Sequence, residues 1–335
     1  MGRMRTSDFK PAWWLPGAHL QTLWGSLARR ATPTDGLVLT RRRIELADGD
    51  FIDLTIGAGD GPGVLIIHGL EGDLRSHYAS ALVARLAREG FRPLFMHLRG
   101  AGDEPNRLER SYHSGASGDL AEVLAALAQD PGGPPRAAVG FSLGANLLLK
   151  YLGEGRDELH LEQAIAVSPP FVLRDAMLRL DLGLSRIYRN HLVTRLKQSF
   201  RRKFADRPLP PALAPDLALD DIRDFNRFDD AITAPLNGFA GVFDYYQRAS
   251  CRQFLPAIEL DTLIIHALDD PFLFPASVPF AHELGPGVTL ELAAHGGHVG
   301  FIAGPLPWRP VYWLEERIVR ALRVKGEGRR EKGEG

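Results

Sequence analysis

Five residues at three distant places in the chain carry the side chains of acyl-transfer chemistry: a serine, two aspartates and two histidines. Ser142 sits in Gly140-Phe141-Ser142-Leu143-Gly144, with the apolar run Ala137-Ala138-Val139 before it and Ala145 to Leu152 after it. A short buried strand, a G-x-S-x-G turn and a helix would hold that serine on a strained backbone at the strand's tip. Glycine on either side avoids a Cβ that would collide with a neighbouring strand or helix. The amides opening the helix would then face any oxyanion formed beside the hydroxyl. A serine hydroxyl is a poor nucleophile until a base takes its proton, and that base needs a third group to orient it.

Acid and base should follow later strands, because ligands gather at the carboxyl ends of a parallel sheet and the acid precedes the histidine in this arrangement. Asp269-Asp270-Pro271-Phe272 follows the apolar run Thr262–His266. His295-Gly296-Gly297-His298-Val299-Gly300-Phe301 follows Val288–Leu292. We read Ser142, His298 and Asp270 as nucleophile, base and acid. Asp270 is preferred for standing directly before Pro271, and His298 for lying deeper in the glycine-rich loop. Spacing alone leaves Asp269 and His295 open as alternatives.

His68-Gly69-Leu70 ends another apolar run, Val64–Ile67, so the Leu70 amide joins that of Leu143 as a two-donor oxyanion hole. His68 itself reads as a loop organiser. Arg99-Gly100-Ala101-Gly102 and Tyr112-His113-Ser114-Gly115 lack both a P-loop lysine and paired metal ligands, and read as scaffold. Cys251 reads as packing. The chemistry needs no metal and no organic cofactor.

The elements that must position these groups alternate. Leu37–Leu46 and Phe51–Ile56 flank the turn dipeptide Asp48-Gly49, predicting an antiparallel hairpin whose first strand, carrying Arg41-Arg42-Arg43, is an edge. From residue 64 onward, continuous apolar strands alternate with amphipathic helices, which predicts an α/β fold with a mostly parallel, doubly wound sheet. The last helix is expected at Trp308–Leu322. Residues 171–255 break the alternation with helical patterns alone, and read as a helical lid inserted over the strand tips. The division is then an N-terminal arm at 1–35, a core at 36–170 and 256–324, the lid at 171–255, and a charged, glycine-rich tail at 325–335 expected to be disordered. Trp13, Trp14 and Trp24 in the arm are expected to be packed on the body, with lining of a substrate channel as the sharper alternative.

A formal net charge of −1 over 335 residues implies no bulk attraction to nucleic acid. No apolar run approaches the roughly 20 residues of a membrane span. A single cysteine fits a reducing compartment, and the expected location is the cytoplasm. Met1-Gly2-Arg3-Met4-Arg5-Thr6 matches the myristoylation pattern letter for letter, but that pattern is short and degenerate. The basic run Arg195–Lys203 reads as a solvated helix face, with peripheral contact to anionic lipid as its alternative.

These pieces together resemble the YheT-like α/β-hydrolases, the family that also holds eukaryotic α/β-hydrolase-domain lipases and yeast acyl-CoA:ethanol acyltransferases. The resemblance rests on Pro16–Thr22, His68–Gly72, Arg99–Gly102, Asn106–Leu108, Ser111–Gly115, Gly140–Asn146, Asp269–Phe272 and His295–Phe301. It implies an α/β-hydrolase fold, and carries the charge relay onto Ser142, Asp270 and His298. Residues 174–225 match no motif of the family, so the acyl specificity is where the resemblance says least. The reading is a serine hydrolase acting on short- or medium-chain carboxylic esters, lipids included, as small-molecule substrates. An acyltransferase using the same triad, and a ligand-binding protein without catalysis, are the alternatives.

Overall fold

The continuous apolar runs form the middle of a nine-stranded sheet in the order β1-β9-β8-β7-β6-β4-β5-β3-β2. The computed structural model describes residues 2–29, 34–155 and 161–333, with the side chains of the final helix described through Arg323. At the centre lie β4 (Gly63–Ile67), β5 (Arg92–Met96), β6 (Ala137–Phe141) and β7 (Gln163–Val167), followed by β8 (Thr262–Ala267) and β9 (Val288–Ala293). Their mutual pairings are parallel. Side chains alternate across the sheet, and both faces are apolar because both are covered. Leu65 and Ile67 pack on one side with α3 (Ser117–Ala128) and α4 (Leu143–Gly153). Val64 and Ile66 pack on the other with α2 (His77–Arg88) and α10 (Trp313–Gly333). The fold is that of the α/β-hydrolases.

The expected hairpin is present as β2 (Leu39–Glu45) and β3 (Phe51–Gly57), with β3 antiparallel to β5 and the arginine-bearing β2 on the edge. Between β7 and β8 the chain is helical: α5 (Leu173–Leu180), α6 (Ser185–Lys203), α7 (Phe225–Phe228), a π-helical turn at Asp229–Thr233, α8 (Ala234–Leu236) and α9 (Val242–Ala249). These helices carry apolar clusters of their own, one built on Leu180, Phe225, Phe228 and Ile232.

Several expectations need correction. The arm supplies a strand, β1 (Arg3–Thr6), parallel to β9 at the far edge, and a helix, α1 (Ala18–Ala28). All four residues of β1 are exposed, so no alternation announced the strand. What holds it is ionic as well as backbone pairing: the Arg5 guanidinium meets the buried Glu291, which also receives Arg317. Trp13 is 78% exposed, its indole donating to the Pro305 carbonyl, while Trp14 and Trp24 pack edge to face. No tryptophan of the arm lines the cavity at Ser142.

The last helix starts at Trp313, not Trp308, because β10 (Ile302–Leu306) and β11 (Arg309–Tyr312) form a hairpin first. At the other end the helix continues through Gly333 into the segment expected to be disordered. Glu334 and Gly335 lie outside the described residues. Among the described residues, no helix is long and apolar enough to cross a membrane.

Candidate active site

Ser142 stands between β6 and α4 with φ 50° and ψ −116°, a backbone conformation that costs a non-glycine residue about 1–3 kcal/mol. The flanking glycines make the strained turn fit. A Cβ at Gly140 would lie 2.5 Å from the Gly144 carbonyl oxygen, and one at Gly144 would lie 2.5 Å from the carbonyl oxygens of Ile67 and His68. Asn146, one turn into α4, fastens the helix to its surroundings by donating to the carbonyls of Ser114 and Ala249.

The loops after β8 and β9 deliver the partners. His298 Nε2 lies 2.9 Å from Ser142 Oγ, and His298 Nδ1 lies 2.8 Å from Asp270 Oδ2. The other Asp270 oxygen accepts from the Phe272 amide at 2.8 Å. With the proton on Nδ1 donated to Asp270, Nε2 is free to accept the serine proton. Asp270 is buried, and the Phe272 ring lies flat on the imidazole with centroids 4.0 Å apart and planes 4° apart. Asp269 and His295 are not at Ser142. Asp269 accepts from the Gly297 amide at 3.0 Å and stands 3.3 Å from Nδ1 of the exposed His295, so this pair braces the loop from outside.

The turn after β4 builds the opposite side. His68 donates from Nδ1 to the Gly69 carbonyl at 2.7 Å and accepts the Leu98 amide on Nε2 at 3.1 Å. Burial holds its pKa down at about 4, which keeps the ring neutral and this tautomer fixed. The Tyr78 hydroxyl accepts the Gly69 amide, and the Tyr112 hydroxyl accepts the Glu71 amide while donating to the Glu71 carboxylate. Glu71 has φ 52° and also accepts from Ser199 on α6, tying this turn to the helical segment. The amides of Leu70 and Leu143 have no acceptor among the described residues. Two free donors beside a serine hydroxyl are what a developing oxyanion requires.

Arg99, which the sequence marks as scaffold, is fully buried and forks onto Asp119 with two 2.8 Å bonds while also reaching Asp50. Satisfied on several sides, this ionic cluster fixes the loop leading to Tyr112. Cys251 is buried, and burial pushes its thiol far above the usual range.

Ser142, Leu70 and His298 open into a cavity roofed by the helical segment. Its lining is mostly apolar, with Leu173, Met177, Leu180, Phe225, Phe228 and Ile232 among the residues contributed by residues 171–255. Asp229 in the π-helical turn also faces it; burial raises its pKa to about 6, and the hydroxyls of Thr233 and Tyr246 bond to it. Sequence reasoning missed Phe272 as a support for the imidazole, and missed Thr22, whose hydroxyl accepts the His298 amide at 2.9 Å. Both lie inside motifs quoted above, but a motif carries no contact map.

A family model described as alpha/beta hydrolase fold matches residues 62–305. The chain is 40% identical to the assigned esterase YheT of Escherichia coli (strain K12) over 320 residues, covering 93% of this chain and 92% of that protein. It is 28% identical to a monoacylglycerol lipase of Saccharomyces cerevisiae, covering 78% of this chain and 59% of that protein. Among solved structures, the Pyrococcus furiosus esterase Pf2001 superposes with a TM-score of 0.54 at 17% identity, covering 88% of this chain and 91% of that one, a likeness of fold.

Proposed function

Since the chain belongs to the alpha/beta hydrolase family, in the YheT-like group, and is a carboxylic ester hydrolase, we propose that Ser142 is its nucleophile, His298 its base and Asp270 the acid that orients the base. The observation that carries this reading is the unbroken line of short hydrogen bonds from Asp270 through His298 to Ser142. Ser142 Oγ attacks the ester carbonyl carbon as its proton passes to His298 Nε2. The carbonyl electron pair moves onto oxygen, which the Leu70 and Leu143 amides receive. When the intermediate collapses, the ester C–O bond breaks and His298 returns the proton to the leaving alkoxide. Water, deprotonated by His298, then attacks the acyl-enzyme; the acyl–Oγ bond breaks, His298 returns the proton to Ser142 and the acid is released. Asp270 stays ionised throughout and stabilises the imidazolium.

Residues 171–255 act as the lid of this site, and the apolar wall they provide suits a short- or medium-chain acyl group. A buried hydrocarbon wall favours each added methylene by about 0.8 kcal/mol until the cavity is filled. The test is a fluorophosphonate probe on the wild type and Ser142→Ala, followed by a series of acyl esters of increasing chain length. Labelling of wild type alone, with kcat/KM rising and then falling along the series, is the expected result. A protein that resists the probe, or a variant labelled equally well, would sink the serine mechanism and leave a binding protein. If a medium-chain acyl-CoA with ethanol gives ester faster than free acid, the acceptor is an alcohol and the enzyme an acyltransferase.

A further inference from the structure

We propose that Thr22, at the end of the Pro16–Thr22 segment of the arm, is a positioning residue for His298. This rests on the reading of His298 as the base. The segment stands out in the sequence, yet no side chain of Pro16–Thr22 lines the cavity at Ser142. His19 stacks on Tyr188 of α6, while Thr22 and Gln21 reach the histidine loop.

That loop has an unusual backbone. Gly297, Val299 and Phe301 all have positive φ, at 63°, 56° and 51°. Such a path persists only where its surroundings over-determine it. Three successive amides are each held by a side chain from a different element. Gly297 N–H donates to Asp269 at 3.0 Å, His298 N–H to Thr22 Oγ1 at 2.9 Å, and Val299 N–H to Ser168 Oγ at 3.2 Å. The middle one belongs to His298 itself, and it comes from the arm. Thr22 Oγ1 accepts this bond through a lone pair while its own proton goes to the Ala18 carbonyl, 2.8 Å away within α1. Gln21, 1% exposed, clamps the end of the same loop, accepting the Ile302 amide at 2.7 Å and donating to the Ile302 carbonyl at 3.1 Å.

The glycines of the loop record the same docking. A Cβ at Gly297 would lie 2.5 Å from the Ala18 carbonyl oxygen and 2.6 Å from Thr22 Oγ1, and one at Gly300 would strike the Gln21 carbonyl. Two motifs with no sequence proximity are thus two halves of one contact. A shift of the His298 backbone would move Nε2 away from Ser142 Oγ, or Nδ1 away from Asp270, because the ring cannot satisfy both from another origin.

The test compares Thr22→Val, which removes the acceptor but keeps the shape, with Thr22→Ser, which keeps the hydroxyl. Rates are normalised to sites titrated by the fluorophosphonate probe, so that loss of folded protein does not count. Misplacing a catalytic group typically costs on the order of 10- to 100-fold, and that fall in kcat is expected for Thr22→Val with KM within about twofold. The rate of probe labelling should fall in parallel, and Thr22→Ser should recover most of both. If Thr22→Val does not fold, Thr22→Ala removes the same acceptor without pressing a methyl group on the amide. An unchanged kcat in the valine or alanine variant overturns the proposal, as does a serine variant equally impaired. Failure of the wild type to label at Ser142 would instead overturn the triad beneath it.

Discussion

The loops after β8 and β9 carry two aspartate–histidine pairs whose members are neighbours in sequence but not in surroundings. Asp270 and His298 meet at 2.8 Å with side chains 1% and 9% exposed, while Asp269 and His295 meet at 3.3 Å with side chains 21% and 64% exposed. The inner pair has Ser142 on one side and the Phe272 ring on its face; the outer pair has solvent. An exposed pair contributes about 0–1 kcal/mol, because water competes for both partners and the side chains surrender freedom to meet. Burial removes that competition, so the inner contact fixes one tautomer and one ring orientation. The same two residue types, one and three positions apart, therefore suit different ends: the inner pair is placed for the proton transfer proposed above, and the outer pair braces the loop.

Substitutions should separate the pairs by orders of magnitude. His298→Ala is expected to lower kcat by about 10⁴-fold or more, since the base has no substitute. Asp270→Asn should cost roughly 10³- to 10⁴-fold, by offering the imidazole an amide in place of a carboxylate. Steady-state hydrolysis of one activated ester measures both, and an Asp270→Asn enzyme within tenfold of wild type would break the comparison.

A second contrast sharpens it: other histidines are buried without a carboxylate partner. Burial lowers the pKa of His68 and His266 to about 4 and that of His113 to about 3, from an ordinary 6.5. The unfolded chain therefore binds more protons than the folded one between about pH 4 and 6.5, so stability is full above 6.5 and is lost as pH falls through that window. At about 1.4 kcal/mol per pKa unit, each of these sites loses about 2 kcal/mol of stability by pH 5. Denaturant titrations at pH 7 and pH 5 should show lower stability at pH 5, and equal values would contradict neutral burial. The smallest effects belong to the outer pair: His295→Ala and Asp269→Asn should change kcat by less than about threefold and stability by about 1 kcal/mol or less.

Much of this was legible from local pattern. Apolar runs that fill both faces of a strand marked β4 to β8, alternation of Val288, Leu290 and Leu292 marked β9, and Gly140 and Gly144 around Ser142 marked the turn, because a Cβ at either site has nowhere to go. The four exposed residues of β1 carried no such pattern, and β11 was hidden in residues that read as the start of a helix. Backbone pairing to a sheet edge needs no apolar alternation, so it leaves little trace in the residues that do it.

The sequence by itself determined the chemistry available: a serine on a turn, an acid and a base after later strands, and two amides to face an oxyanion. It narrowed the acid and base to two candidates each and could go no further, because adjacent positions in a loop share the same local pattern. Only the tertiary structure shows which aspartate and which histidine come to lie beside Ser142. Where Asp270, His298, Phe272 and Thr22 come to lie depends on chain crossings far apart in sequence, and burial of a hydrogen bond is a property of all the elements that surround it.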